Sequence, residues 1–567
     1  MMTGEQAISG KVRILVATIA VAAAFIAFYP TLDNGFVNWD DDAGILKNED
    51  IRSLSQESLS AMFSGYYVGH YHPLTTLSFA IEYKMFGLNP KYFHLDNLLL
   101  HMINTVLVCL IFISLTKKWR TALLVGILFA IHPLNTESVA WITGRRDLLF
   151  SLFFLLSLLA YLSYNKNMRI ILLIISFLLF VLSMLSKTSA VTLPVVLLLT
   201  DYFSGRKYTR RLLFEKLPFF AVSLVMGIVT VYALKGHGDI YDLAGKYSLL
   251  DRALVPFYAL MFYIVKFFMP VGLCASYFFH EKTEGFLPVA YYIAPVFVAV
   301  VVILAVKMKT MKKEIVFGLL FFFVTISLFL QILPSGRVFA ADRYTYLPFL
   351  GLFFVIAAQS VLIFEKLKDK IITAVVLLVP AAIVVILIIL THSRIKVWES
   401  GETLFTDMIE KQPGESLGYF NRGIARYYGF NSEQIPDFGK AFKDFSIALE
   451  LDGQNPITWF NRGNTSFNLQ NIQGALDDYN RALSLDSLYA QAYNNRGLVW
   501  AYSGNYTLAI MDYNKALEIN NMYSDAYSNR GIAYYYSGDH EKACYEWGIA
   551  IDFGHDQAYR LYNEYCK

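Results

Sequence analysis

Charge is scarce in this chain. Only 16% of its 567 residues are Asp, Glu, Lys or Arg, where a soluble globular domain carries about a quarter, and that excludes an ordinary soluble enzyme. A net charge of +3 on 64.5 kDa supplies no basic surface for nucleic acid, so none is expected as a partner. Cysteine is scarce too: Cys109, Cys274, Cys544 and Cys566 make neither a disulfide framework nor a metal-ligand set. What is abundant is apolar surface, 56% of residues with a mean hydropathy of +0.44. That excludes a disordered chain and points to a membrane protein.

The apolar residues are concentrated before about residue 392. Runs near the ~20 residues needed to cross a bilayer fall at 13–29, 97–115, 121–134, 147–164, 169–186, 188–203, 217–234, 253–270, 287–306, 315–333, 347–364 and 371–391. The first run lacks a small-residue cleavage site and reads as a retained signal-anchor. Lys/Arg clusters at 117–120, 166–169, 206–211, 307–313 and 366–370 are placed in the cytoplasm. The loops 30–95, 135–146, 235–286 and 334–346 then lie outside, provided that 253–270 does not fully cross. The expectation is about eleven crossings with the N-terminus inside. The domains expected are 1–392, a membrane body, and 393–567, a soluble arm on the outer side.

The arm is repetitive. Asn-Arg-Gly recurs at Asn421, Asn461, Asn495 and Asn529, the last two intervals being 34 residues, while Ala448, Ala482, Ala516 and Ala550 keep a strict 34-residue period. An aromatic, a glycine and a small residue on a second helix at this period resemble the tetratricopeptide repeat. Such repeats bind partners on a concave face. A primary amide both donates and accepts, so the four asparagines are candidates for gripping an acceptor peptide backbone; alternatively, Asn-Arg-Gly is a local consensus of the repeat.

Chemistry is expected in the outer loops. Asp40, Asp41 and Asp42 stand together about ten residues beyond the first apolar run. Like charges at close range raise one another's pKa, which suits a general base; an acidic cap or a calcium-binding turn would use the same residues. Later motifs bring His70-Tyr-His72-Pro73, His132-Pro through Gly144-Arg145-Arg146-Asp147, Ser186-Lys187-Thr188, Gly336-Arg337 and Asp342-Arg343. Cations at the interface match an anionic headgroup, most simply a phosphate. The competing reading pairs each with Asp147, Asp342 or Glu137.

A first helix followed by an Asp-Asp loop, His-Pro…Thr-Glu-Ser-Val-Ala…Gly-Arg-x-Asp, Ala-x-Arg-Tyr-x-Tyr-Leu-Pro and a repeat tail occur here in order. This order resembles the transmembrane-and-tetratricopeptide-repeat O-mannosyltransferases, within the GT-C glycosyltransferase fold. The resemblance implies an all-α fold, a polytopic helix bundle followed by an α-solenoid. It implies an enzyme that moves a sugar, mannose in the best-known members, from a polyprenyl-phosphate to Ser or Thr of an extracytoplasmic polypeptide held by the repeats. Asp40 and Asp41 match the family's acidic pair and Asp42 extends it. Arg145 and Arg343 match its arginines, with Lys187 added on electrostatic grounds as a third phosphate ligand. His72, His132, Arg146 and Arg337 are supporting candidates. No cofactor is required on this reading, although hard oxygen ligands would suit a divalent cation. A bacterial inner membrane is favoured over the endoplasmic reticulum. Rival readings are a membrane-anchored scaffold without catalysis and a transferase acting on a lipid or wall polymer.

Overall fold

Interruptions in the apolar helices decide where the polar loops of the first unit meet. The computed structural model describes residues 8–67, 69, 71–236, 245–308, 311–332, 337–367, 370–430 and 435–567. His70 and Gly336 lie outside the described residues. The chain divides into Met1–Ser400 and Gly401–Lys567. It is an all-α protein, whose described residues add one short ribbon of Tyr277–Phe278 against Val338–Ala340.

In the first unit, Pro133 cannot continue the helix Trp119–Ile131, and the chain bends by 53° into Pro133–Ala140 because a proline lacks the N–H and clashes with the preceding turn. The helix Ile170–Ser186 likewise stops where Lys187 turns extended, at φ −161°. Both breaks bring polar side chains to the same end of the bundle as the loop after Gly10–Phe28. That loop is anchored by its own apolar cluster, in which Ile45, Ile51, Met62, Phe79, Phe93 and Ile142 are buried.

Seven described helices are long and apolar enough to cross a membrane, or eight if the bent pair counts as one span. By length and composition that is fewer than the expected eleven. The run at 169–186 yields a helix of 17 residues and Leu193–Ser204 one of 12, Lys312–Ile326 has 15, and Leu249–Phe268 carries Asp251, Arg252 and Lys266. Pro90–Thr116 and Ile142–Asn167 are 56% and 61% buried against neighbouring helices, whereas Val289–Lys307 is only 11% buried. The first pair is therefore core and the last presents its apolar side chains outward, as toward lipid. Where Lys312–Ile326 crosses Phe349–Lys366, Gly318 and Gly351 face each other, and a Cβ on either would strike the other's carbonyl. Small residues permit this close approach.

The second unit is a stack of antiparallel helix pairs from Ser416–Tyr428 to His540–Asp552, preceded by Gly401–Lys411 and closed by Asp556–Tyr565. Asp437, Asn471, Asn505 and Asp539 each start a second helix by accepting a hydrogen bond from the backbone N–H three residues on, as side-chain caps do. Gly423, Gly463, Gly497 and Gly531 lie against the rings of Phe445, Tyr479, Tyr513 and Trp547, where any Cβ would overlap the ring. Arg422, Arg462, Arg496 and Arg530 pair at 2.8, 2.6, 2.6 and 2.7 Å with Asp444, Asp478, Asp512 and Glu546 of the second helix.

One expectation from composition needs correction. Cys544 and Cys566 form a disulfide with a Cα–Cα distance of 5.7 Å, within the range such a bridge requires; Cys109 and Cys274 remain buried thiols. The bridge fastens the closing helix to the last repeat. Closing a loop of 22 residues removes unfolded-state freedom equivalent to about 3 kcal/mol. Cys544→Ser together with Cys566→Ser is expected to lower the stability of the repeat unit by about that amount, read from the denaturant midpoint of its unfolding transition.

Candidate functional site

The three adjacent carboxylates do not act as a cluster, because each faces a different partner. Asp42 opens a short helical turn, Asp42–Leu46, and pairs with Lys47 at 3.3 Å. Asp41 is wholly buried: its Oδ2 accepts the Val37 N–H at 3.1 Å, and its Oδ1 accepts the Thr143 N–H at 3.1 Å and the Thr143 hydroxyl. Burial pushes its carboxyl up to about 7 against the pull of those hydrogen bonds. Asp40 keeps part of its side chain in the open, 18%, and meets Arg146 Nη2 at 3.2 Å. Asp41 thus fixes the loop to the 136–144 segment, and Asp40 is the carboxylate left at the edge.

The arginines divide in the same way. Arg145 is 1% exposed and spends its guanidinium inside the protein: Nε donates to Asn97 Oδ1 at 2.8 Å, Nη1 to Glu82, and Nη2 to the Phe93 carbonyl at 2.7 Å. The rings of Phe79 and Phe93 cover its faces. This corrects the expectation that Arg145 holds a donor phosphate, since no face of it is left to do so. Even so, burial pushes Glu82 up to about 7, so desolvation outweighs the Arg145 charge at that carboxyl. Gly144 is required just before, since a Cβ there would sit 2.8 Å from the Ser138 carbonyl.

Arg146, at the variable position of the motif, takes the place expected of Arg145. Apart from its bond to Asp40, its Nε and Nη1 are buried without a hydrogen-bond partner, as are His72 Nε2, Trp141 Nε1 and Asp147 Oδ2. Lys187 is paired with Asp147, and Arg343 with Glu137, which also accepts the Arg343 backbone N–H at 2.9 Å. Arg146 and Arg343 both lie over the Trp141 ring, at 5.1 and 5.5 Å, while Lys187 and Arg343 flank Tyr344 at 5.8 and 4.9 Å. Three cations from three separate segments therefore gather around Trp141 and Tyr344, each partnered by a carboxylate, with Asp40 paired to the first of them. Beside Arg343 lies a cavity of about 10 Å³ whose lining includes Asp147, Ser189, Thr192, Thr325 and Tyr344.

Two supporting candidates fall elsewhere. His132 is a packing residue at the proline bend, with Nε2 3.3 Å from the Phe267 carbonyl and its ring among Phe267, Phe349 and Phe353. Arg337 is exposed beside the ribbon, and its carbonyl accepts the Phe279 N–H at 3.3 Å. Nor do the asparagines form a free ladder. Asn421 and Asn461 donate to the Leu417 and Ile457 carbonyls at 3.1 and 2.8 Å, one turn back. Asn495 and Asn529 donate at 2.8 and 3.0 Å to Asn464 and Asn494 of the preceding repeat.

Family profiles described as "Tetratricopeptide repeat" and "TPR repeat" match residues 456–489 and 499–538. The tail is a tetratricopeptide-repeat domain. Curated relatives include "Protein O-mannosyl-transferase Tmtc1" of Drosophila melanogaster, 38% identical over 135 residues, which are 22% of this chain and 16% of that protein. "Protein O-mannosyl-transferase Tmtc2" of the same organism is 40% identical over 22% of this chain and 14% of its own length, and human "Protein O-mannosyl-transferase TMTC3" is 31% identical over 24% and 16%. These relatives carry the name of the family that the ordered motifs resemble, and the matches span about a sixth of their length. Among solved structures, that titled "Crystal structure of MamA protein" covers 28% of this chain at 23% identity and a TM-score of 0.25.

The sequence reading missed the groups that hold the site. Asp444, Asp478, Asp512 and Glu546 recur at 34 residues, the same period as the alanines, so the ion-pair partners of the tetratricopeptide arginines were there to be found. Glu82, Thr143 and Tyr346 had no such signal. Tyr346 lies 2.9 Å from His101 Nδ1 and its hydroxyl accepts from Asn104 Nδ2 at 3.2 Å, two partners more than 240 residues away in sequence.

The division between the arginines is testable. Arg145→Ala leaves Glu82 buried without its cation and is expected to destabilise the membrane unit by about 3 kcal/mol or more; Arg146→Ala, which removes buried donors that have no partner and one pair to part-exposed Asp40, is expected to cost much less. Thermal unfolding of the detergent-solubilised proteins compares them. Asp41 adds a pH dependence. Between about pH 4 and 7 the folded state holds a proton that the unfolded chain has released, so stability falls as pH rises through that window, by up to about 1.4 kcal/mol per unit. Asp41→Asn removes this share of the slope, which unfolding midpoints between pH 4.5 and 7.5 would record.

Proposed function

We propose that the chain is an integral-membrane glycosyltransferase that moves a sugar, mannose by the names of its relatives, from a polyprenyl-phosphate donor to Ser or Thr hydroxyls of a polypeptide. The observation that carries this reading is the gathering of Arg146, Lys187 and Arg343 around Trp141 and Tyr344, with Asp40 paired to Arg146 and buried Arg146 nitrogens unpartnered. Buried donors without partners are costly, and an anionic group entering between them would satisfy several at once.

The chemistry follows from charge. The acceptor oxygen attacks the anomeric carbon and its proton passes to Asp40. The bond from that carbon to the phosphate oxygen breaks, and the phosphate leaves with the electron pair. Negative charge grows on the leaving oxygen, where fixed cations in a water-poor site lower the barrier. With three cations the reading requires no metal ion. A donor headgroup is larger than the cavity beside Arg343, so its entry requires rim side chains to shift away from Asp147 and Glu137. The tetratricopeptide-repeat domain is assigned to the polypeptide acceptor, because solenoids of this class offer an extended concave face. The Cys544–Cys566 bridge supports placing that domain on the oxidising side of the membrane.

Asp40→Asn tests the reading. A general base contributes about 10²- to 10⁴-fold, so hexose incorporation into Ser or Thr, followed by mass spectrometry of extracytoplasmic proteins, is expected to fall by at least the lower figure while the protein stays folded. Glycosylation unchanged in Asp40→Asn would favour the scaffold, and hexose appearing on a glycolipid would favour the other acceptor.

A further inference from the structure

The His-Tyr-His-Pro motif of the first loop has no part in the chemistry above, yet one of its histidines is buried close enough to Arg146 and Lys187 for their charges to act on its ring. His72 caps the helix Pro73–Phe86 with its backbone carbonyl, which accepts the N–H groups of Thr75 and Thr76 at 3.0 and 3.2 Å. Its ring is 6% exposed. The Thr76 hydroxyl lies 3.4 Å from Nδ1, while Nε2 is buried with no partner. The start of the helix is tied to the Lys187 segment, because the Thr75 hydroxyl donates to the Ser186 carbonyl at 3.2 Å. Beside the ring on the loop side lies Tyr67, 6.4 Å between centroids.

Each feature constrains what the imidazole can do. The Thr76 hydroxyl lies 3.4 Å from both Nδ1 and the His72 carbonyl; the tautomer in which it donates to Nδ1 places the ring proton on Nε2, and that tautomer is part of the inference. Burial, with the charges of Arg146 and Lys187 close by, holds the ring neutral down to about 4. A third positive charge among those cations would be repelled, whereas a neutral N–H adds a hydrogen bond without that penalty. In that tautomer Nε2 is a donor lacking an acceptor, in a group that already holds unpartnered Arg146 nitrogens. A cation would be repelled by such a cluster, and an anionic phosphate oxygen would bind it more strongly than a neutral carbonyl.

We propose that His72 donates through Nε2–H to an oxygen of the phosphate held by Arg146, Lys187 and Arg343, as a neutral ligand of the leaving group beside the three cations. This rests on the transferase reading for its catalytic meaning, although phosphate binding is measurable without it. The step is unaltered: His72 gives up no proton, and the bond to the departing oxygen strengthens as charge develops there. The motif therefore acts through its second histidine, with Pro73 starting the helix that holds the ring in place.

The test uses the full chain in detergent with a short-chain polyprenyl monophosphate as the probe and the matching polyprenol as control. His72→Ala is expected to weaken phosphate binding about tenfold without altering polyprenol binding, and to lower kcat for hexose transfer by about 10²-fold, the cost of removing one such donor. KM for the acceptor peptide should stay within twofold. His72→Gln, which keeps an N–H at similar reach, should restore both to within about fivefold of the parent protein. If His72→Ala does not purify as a folded protein, His72→Phe, which keeps the ring and loses the donor, takes its place. Unchanged phosphate binding in the donor-less variants, or a Gln variant as weak as they are, overturns the proposal. Phosphate binding that depends on His72 in a protein with no transfer activity sustains the proposal and removes the transferase reading.

Discussion

A buried guanidinium must have its donors satisfied, and that requirement at Arg145 organises the membrane unit around it. Its partners come from Pro73–Phe86 through Glu82 and from Pro90–Thr116 through Asn97 and the Phe93 carbonyl. Asn97 in turn donates to the carbonyls of Trp141 and Ile142 at 3.0 and 3.3 Å. One cation thereby fixes the start of its own helix, two neighbouring helices and the 136–144 segment. Desolvated charge is expensive unless every bond is made, so the arrangement tolerates little displacement. Arg146, one residue further along the helix, points about 100° away and is left to face Asp40.

The same separation of roles recurs at Asp40 and Asp41. The inner carboxylate takes the hydrogen bonds that hold the loop, and the outer one keeps its access. Adjacent like charges need not share a site when the backbone turns one of them into the interior. In both pairs one member is spent on hydrogen bonds that hold the fold, while its neighbour, Asp40 or Arg146, faces the other across the loop. The tetratricopeptide-repeat domain follows a related rule: the arginine of each Asn-Arg-Gly is spent on the second helix of its repeat, and the asparagine amide on a carbonyl one turn back or on the repeat before.

Much of the architecture was legible because it depends on local pattern. Apolar runs mark helices, prolines mark their breaks, and a 34-residue period marks the solenoid without reference to any distant residue. The competing view of the arginines, an ion pair with Asp147, Asp342 or Glu137, was legible as well, and Arg343–Glu137 is a pair of that kind. The crossing number was not, since length and hydropathy do not distinguish a short buried helix such as Leu193–Ser204 from a span.

By itself, the sequence determined that the protein is a helical membrane body with a tetratricopeptide-repeat arm, and which short segments carry charge. Those properties are fixed by composition and spacing. Only the tertiary structure decided which member of each charged pair is structural, that His132 packs while His72 lies close to Arg146 and Lys187, and that Cys544 meets Cys566. These outcomes turn on burial and on partners far apart in sequence, such as Tyr346 beside Asn104 and His101, 242 and 245 positions away. Solvation and hydrogen bonding are set in three dimensions, and no local spacing encodes them.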